Sequence, residues 1–400
     1  MIINKRHIDR WILGGIWMLL LLLAACSSSS TEEEPQTPTP QTPKEKPVLK
    51  IYLFAPESPI ITRANTGSVS ALDAEKAIHT IDVWVFEHES PNKKVSYIHL
   101  DDVSFSGQKE ITMEISDSIA NLPKKPNVDI YVAVNKESCG LQTGANALGE
   151  NTTLAQLKAT SITNGYFGVS SPQGSVPATG LPMSGLLEDQ VISGIAPVYT
   201  AMTKNVKLVR AVSKVRFVLC KSSANPPTIS NLSISLKANM IPSEEYFFLN
   251  NVYPDAKIRI GTTYEATAAS LVTGFDGNTI NTCDDPASYA YTSETGQAYE
   301  NKIDAGLTDP DGEGVKTPDL TQVGLFYFRE SDKKLEGTIS YMVGETQKTV
   351  DFEMAGAGDF TRNHTWIVYG YFLGSGELIL NNVRVKDWTT DSENPDVYNW

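Results

Sequence analysis

Histidine, cysteine and clustered carboxylates are where catalysis or metal binding would show first in this sequence. Beyond the first 25 residues there are four histidines, His79, His88, His99 and His364, and no two stand at the i, i+4 spacing of helix-borne metal ligands. The cysteines at 26, 139, 220 and 283 lack the short paired spacing of a zinc site. Asp309, Asp311, Gly312 and Glu313 open like a calcium loop, but the third acidic position and the distal bidentate glutamate are missing, so the run reads as a turn. Asp101-Asp102 and Asp284-Asp285 are neighbours in sequence rather than carboxylates set to face each other across a sugar ring. Walker loops, nucleophile elbows and zinc-protease helices are absent as motifs. The expectation is a protein without catalytic residues, metal or cofactor.

The N-terminus carries chemistry of another kind. Lys5, Arg6 and Arg10 precede an apolar run from Trp11 to Ala25, shorter than the ~20 residues a spanning helix needs, which reads as an export signal over residues 1–25. Its end, Leu23-Ala24-Ala25-Cys26, resembles the lipobox of bacterial lipoproteins, which makes Cys26 the expected lipid-bearing residue. Three cysteines then remain, an odd number, and mostly buried free thiols are expected. Residues 26–47, rich in Ser, Thr, Glu and Pro, read as a flexible tether. The acidic run Glu32 to Glu34 resembles a surface-export signal of lipoproteins in Bacteroides-type bacteria. A net charge of -14 argues against nucleic acid as a partner.

Whatever this chain does must be positioned by strands. With 400 residues, 41% of them hydrophobic, it can fill two ordinary cores. Period-two alternation recurs at Leu49, Ile51 and Leu53, at Ile81, Val83 and Val85, at Ile111, Met113 and Ile115, and at Val128 through Val134. It returns at Val215, Phe217 and Leu219, at Leu232, Ile234 and Leu236, and at Leu335, Ile339, Tyr341 and Val343. The expected fold is all-β, with two tandem antiparallel β-sandwich domains over residues 48–205 and 206–400. One short helix is expected at Leu154, Leu157 and Ile162, capped by Thr152 or Thr153.

Several segments, taken in order, resemble the fimbrillins, the pilin subunits of type V pili in Bacteroides-type bacteria. They are ITRANTGSVSALDAEKAIHTIDVWVFE from Ile61, VDIYVAVNKES from Val128, the helix segment TTLAQLKATSIT, LPMSG from Leu181, VKLVRAVSKVRFVL from Val206, TRNHTWIVYGYFLG from Thr361, and NNVRVKDW with the terminal Trp400. The resemblance implies transthyretin-like sandwiches and a lipidated precursor held at the outer membrane. An arginine-specific protease then cuts it, at Arg63-Ala64 in this sequence, and the cut frees the first strand with Leu49, Ile51 and Leu53. Arg63 lies in a stretch containing Pro56, Pro59, Asn65 and Gly67, where an exposed loop is expected. Loss of residues 48–63 would expose backbone groups and an apolar groove for a strand of another subunit. Val383 to Trp388 reads as a last strand of the second domain, and the implied donor is the tail from Thr389, anchored by Val397, Tyr398 and Trp400. Partners are then other copies of the chain and other pilus subunits, at the cell-surface fimbrium. Asp117-Ser118-Ile119 also fits a short O-glycosylation pattern of these bacteria. The competing class is a surface-anchored carbohydrate- or host-binding lipoprotein, which an exposed patch of Tyr246, Phe247 and Phe248 would favour.

Overall fold

The computed structural model describes residues 48–55, 73–89, 91–105, 107–115, 126–163, 165–192, 202–248, 258–283, 321–354, 358 and 360–387. They form a nearly all-β unit, with nine strands in the first part of the chain. β1 (Val48–Phe54), β4 (Gln108–Glu114) and β8 (Met202–Lys207) make a three-stranded sheet in the order β4-β1-β8. It faces a five-stranded sheet, β3-β2-β5-β7-β9, of β2 (Ile81–Glu87), β3 (Lys94–Leu100), β5 (Asn127–Val134), β7 (Met183–Val191) and β9 (Val209–Arg210). β6 (Ser161–Thr163) stands apart from both sheets.

The second sandwich has the same two-layer logic. One sheet runs β14-β10-β18-β19, with β15 also on β10; these are β10 (Ser213–Ser222), β14 (Thr282–Cys283), β15 (Thr321–Phe328), β18 (His364–Phe372) and β19 (Leu378–Asp387). The other runs β13-β11-β16-β17, from β11 (Ile229–Leu236), β13 (Ala269–Phe275), β16 (Leu335–Val343) and β17 (Thr346–Met354). β12 (Glu244–Tyr246) pairs with β6, tying the two halves together. Residues 206–210 pair within the first set of sheets, beyond the boundary near 205 drawn from the sequence, and the chain crosses over at Ala211 and Val212.

Each alternating apolar set lies where period two puts it, on the inner face of its sheet. Leu49, Ile51, Val83, Ile111, Met113 and Val132 share the first core, and Phe217, Ile234, Leu236, Leu335 and Ile339 the second. A third apolar cluster covers the outer face of β2 and β5 with Trp84, Phe86, Tyr131, Leu157, Phe247 and Tyr327. That second covering explains why β2 is a nearly continuous apolar run rather than a clean alternation. The helix, α2 (Leu154–Ala159), follows α1 (Asp73–Lys76); Thr153 caps it in a reciprocal box with Gln156. It ends earlier than expected, because Ile162 lies in β6. Cys139 is a buried free thiol, but Cys220 is disulfide-bonded, which corrects the expectation of mostly free cysteines.

Candidate functional site: a central strand and its junction

β1 is the middle strand of its sheet. Its residues Val48 to Phe54 run antiparallel to Glu114 through Gln108, while Leu49 to Phe54 run parallel to Met202 through Lys207. The sequence suggested that losing the first strand would bare one edge. A central strand leaves a slot instead, with the backbone groups of β4 on one wall and those of β8 on the other. Leu49, Ile51 and Leu53 are each 0% exposed and pack with Ile111, Met113 and Val206. At ~1.5 to 3 kcal/mol for each buried side chain, their contribution is roughly 5 to 9 kcal/mol before hydrogen bonds.

The outer face of β1 has its own contacts. Lys50 Nζ donates to Glu110 Oε1 at 2.8 Å, and the Tyr52 hydroxyl donates to Glu110 Oε2 at 2.6 Å. The hydrogen bonds from Lys50 and Tyr52 hold the Glu110 carboxyl below its usual range. Glu110 is thus the polar counterpart of the apolar slot floor.

Downstream of the segment that contains Arg63, α1 fastens the chain to the second sandwich. Glu75 is fully buried, pairs with Lys214 at 3.0 Å and accepts a hydrogen bond from the Tyr327 hydroxyl. The Glu75 backbone carbonyl accepts from Arg210 Nε at 3.2 Å, and Arg210 also reaches Asn363. Arg210 and Lys214 are two of the four basic residues of VKLVRAVSKVRFVL, and their buried charges, with that of Arg216, explain why that segment alternates imperfectly. No local pattern in the sequence marks Glu75, whose partners lie 139 and 252 residues away.

The remaining family-like motifs are likewise polar staples. Asn135 of VDIYVAVNKES has φ of 52°, and its side chain accepts from His79 N at 2.8 Å and donates to the carbonyls of Ala77 and Leu181. Lys136 pairs at 2.8 Å with buried Asp82, which also takes the Tyr97 hydroxyl and His99 Nδ1. His88 binds buried Asp129 at 2.6 Å. In TRNH, Arg362 bonds Glu330 at 2.7 Å and the Phe247 carbonyl at 2.9 Å, and lies 3.4 Å from Glu245. Burial pushes the Glu245 carboxyl up to about 8, against the opposing pull of Arg362. Phe247 and Phe248 are buried, so they offer no exposed aromatic patch.

Of the residues singled out from sequence, Leu49, Ile51 and Leu53 are brought together in β1. Cys26, Arg63, Ala64, Asp117-Ser118-Ile119, Asp284-Asp285, the Asp309 to Glu313 turn and the tail anchors Val397, Tyr398 and Trp400 lie outside the described residues. Val383 to Asp387 fall in β19, paired with β18.

Two β-sandwiches, linked by the buried Glu75–Lys214 ion pair and with β1 central in its sheet, make up the described fold. No family model and no curated protein matches the chain. Among solved structures, a candidate cell adhesion protein from Parabacteroides distasonis superposes with a TM-score of 0.51 at 13% identity, over 87% of this chain and 99% of that one. A candidate cell adhesion protein from Bacteroides eggerthii matches with a TM-score of 0.47 at 14% identity, over 88% and 98%. A fimbrilin from Porphyromonas gingivalis matches with a TM-score of 0.46 at 10% identity, over 86% and 99%. The Parabacteroides likeness establishes a shared fold. The three named structures are cell adhesion and fimbrial proteins, and the likeness to this chain is one of fold.

Proposed function

We propose that the chain is a non-enzymatic structural subunit of a cell-surface fimbria, a stalk pilin polymerised by strand exchange. The observation that carries this reading is the position of β1. A strand that is first in the folded chain, central in its sheet and apolar on its whole inner face leaves a two-walled slot when it departs. In this reading Cys26 carries the lipid of an outer-membrane precursor, an arginine-specific protease cuts Arg63-Ala64, and residues 48–63 leave. A neighbouring subunit then donates a strand from its C-terminal tail, with Val397, Tyr398 and Trp400 as anchors. The first sandwich domain runs through Arg210 and the second begins after the crossover of Ala211 and Val212.

The test is the N-terminal sequence and intact mass of protein sheared from cells, beside a sample treated with an arginine-specific protease. A start at Ala64, with multimers that survive mild detergent, is the expected result. A lipidated start at Cys26 that resists the protease and stays monomeric would overturn it and leave a pilus anchor or a binding lipoprotein.

A further inference from the structure

A sheet that does not close into a barrel ends in open edges, and each edge is a template for a strand of another molecule. Among the described residues β8 pairs on one side only, with β1, and its six residues Met202–Lys207 form an outer edge of the three-stranded sheet. Its inward row is not uniformly apolar. Val206, beside Leu53, is fully buried in the first core, whereas Lys204, beside Ile51 in the same row, is half-buried. The Lys204 ammonium donates to Gln190 Oε1 of β7 at 3.4 Å. Gln190 lies beyond the reach of β9, which pairs only with Met183 and Ser184 of β7, so this polar pair bridges the two sheets where both end. The open part of β7 on the same side is protected differently. Its pairing with β5 shifts register between Val128 and Ile130, and Asp189, with φ of 53°, is held there by Asn127.

We propose that Lys204 keeps β8 from pairing edge to edge with β8 of a second copy of this chain. A strand laid on the open side of β8 sets its own inward row beside Lys204, and an apolar side chain there strips water from the ammonium. Two β8 strands paired antiparallel about this residue bring like charges together. Other registers offer no relief, because MTKNVK contains two lysines and no acidic residue. On the β1 side the same lysine is tolerated, since its long stem can lie along an apolar neighbour while the ammonium reaches Gln190. The inference concerns the uncut chain and does not depend on strand exchange.

The test uses the full chain in mild detergent, kept from arginine-specific protease, with light scattering over a wide range of concentration. The native chain should stay monomeric. Lys204→Val should raise the association constant roughly tenfold or more, and amides of β8 should gain protection from hydrogen exchange in the multimer. Lys204→Thr, a second neutral residue of high strand preference, should move the same way. Lys204→Arg should behave as the native chain does, and so should Asn205→Val, which adds an apolar group to the exposed outward row of the same strand. Neutral variants as monomeric as the native chain would overturn the inference. So would a native chain already paired through β8, multimers without protection in β8, or association of Asn205→Val as strong as that of Lys204→Val. None of these results bears on the strand-exchange reading.

Discussion

Replacing Ile51 by alanine probes the strand on which the functional reading depends. Ile51 is 0% exposed, with Ile111 of β4 and Lys204 of β8 as its cross-strand neighbours. The substitution removes three buried carbon groups, about 2.4 kcal/mol at ~0.8 each, and the cavity left between two fixed neighbouring strands raises the cost to roughly 3 to 4 kcal/mol. Thr112→Ala, on the exposed outer row of β4, should stay within about 0.5 kcal/mol. Urea unfolding followed through the fluorescence of Trp84, whose strand faces the same core, measures the difference. Hydrogen exchange localises it: amides of β4 and β8 that pair with β1 should lose protection, and those between β16 and β17 should not. In a chain cut at Arg63, 3 kcal/mol corresponds to roughly a hundredfold weaker retention of the severed strand. A loss below about 1 kcal/mol, or unchanged exchange in β4 and β8, would refute the argument. The strand would then be loosely laid on the sheet, and its departure would open no groove.

Glu75→Gln should destabilise the chain by about 3 to 5 kcal/mol, because it leaves the Lys214 charge in a fully buried place, whereas Glu75→Met with Lys214→Met should recover much of that loss in thermal unfolding. Glu245 keeps a proton in the folded chain that an unfolded glutamate, with a pKa of ~4.3, has already lost. The folded state therefore binds more protons between pH ~4.3 and about 8, and this group's contribution to stability declines as pH rises through that window. Glu245→Gln should flatten that part of the melting-temperature profile, and an unchanged slope would refute the assignment. Asn135→Gly keeps the left-handed backbone but removes four side-chain hydrogen bonds, so it should cost less than Asn135→Ala, which loses both; equal melting temperatures would count against the strain argument. Cys139, buried and with its thiol pushed upward by burial, should resist alkylation in the native chain and react on unfolding, as mass spectrometry would show.

The strands of both cores were legible in the sequence because a side-chain period of two survives wherever one face of a sheet is buried. Leu49 to Leu53, Ile111 to Ile115 and Leu232 to Leu236 alternate for that reason and lie inward as read. The Thr153 cap of α2 was legible too, since a cap is a local contact across three residues. Ile162 misled because apolar spacing just past a helix end is also compatible with a strand. The centrality of β1 could not be read. It depends on β8, some 150 residues later, returning parallel to it, and alternation tells which face of a strand is buried but not how many neighbours the strand has. The ion pair of Glu75 with Lys214, the grip of Glu110 on Lys50 and Tyr52, and the enclosure of Glu245 by Arg362 and Glu330 belong to the same class. A charged residue in a sequence is exposed unless a partner covers it, and partners that lie 58 to 252 residues away are chosen by the packing of sheets rather than by any local spacing. The order of strands and the inward faces were thus written in the sequence, whereas the slot, its carboxylate and the buried clasp between the sandwiches were decided only when the sheets closed on one another.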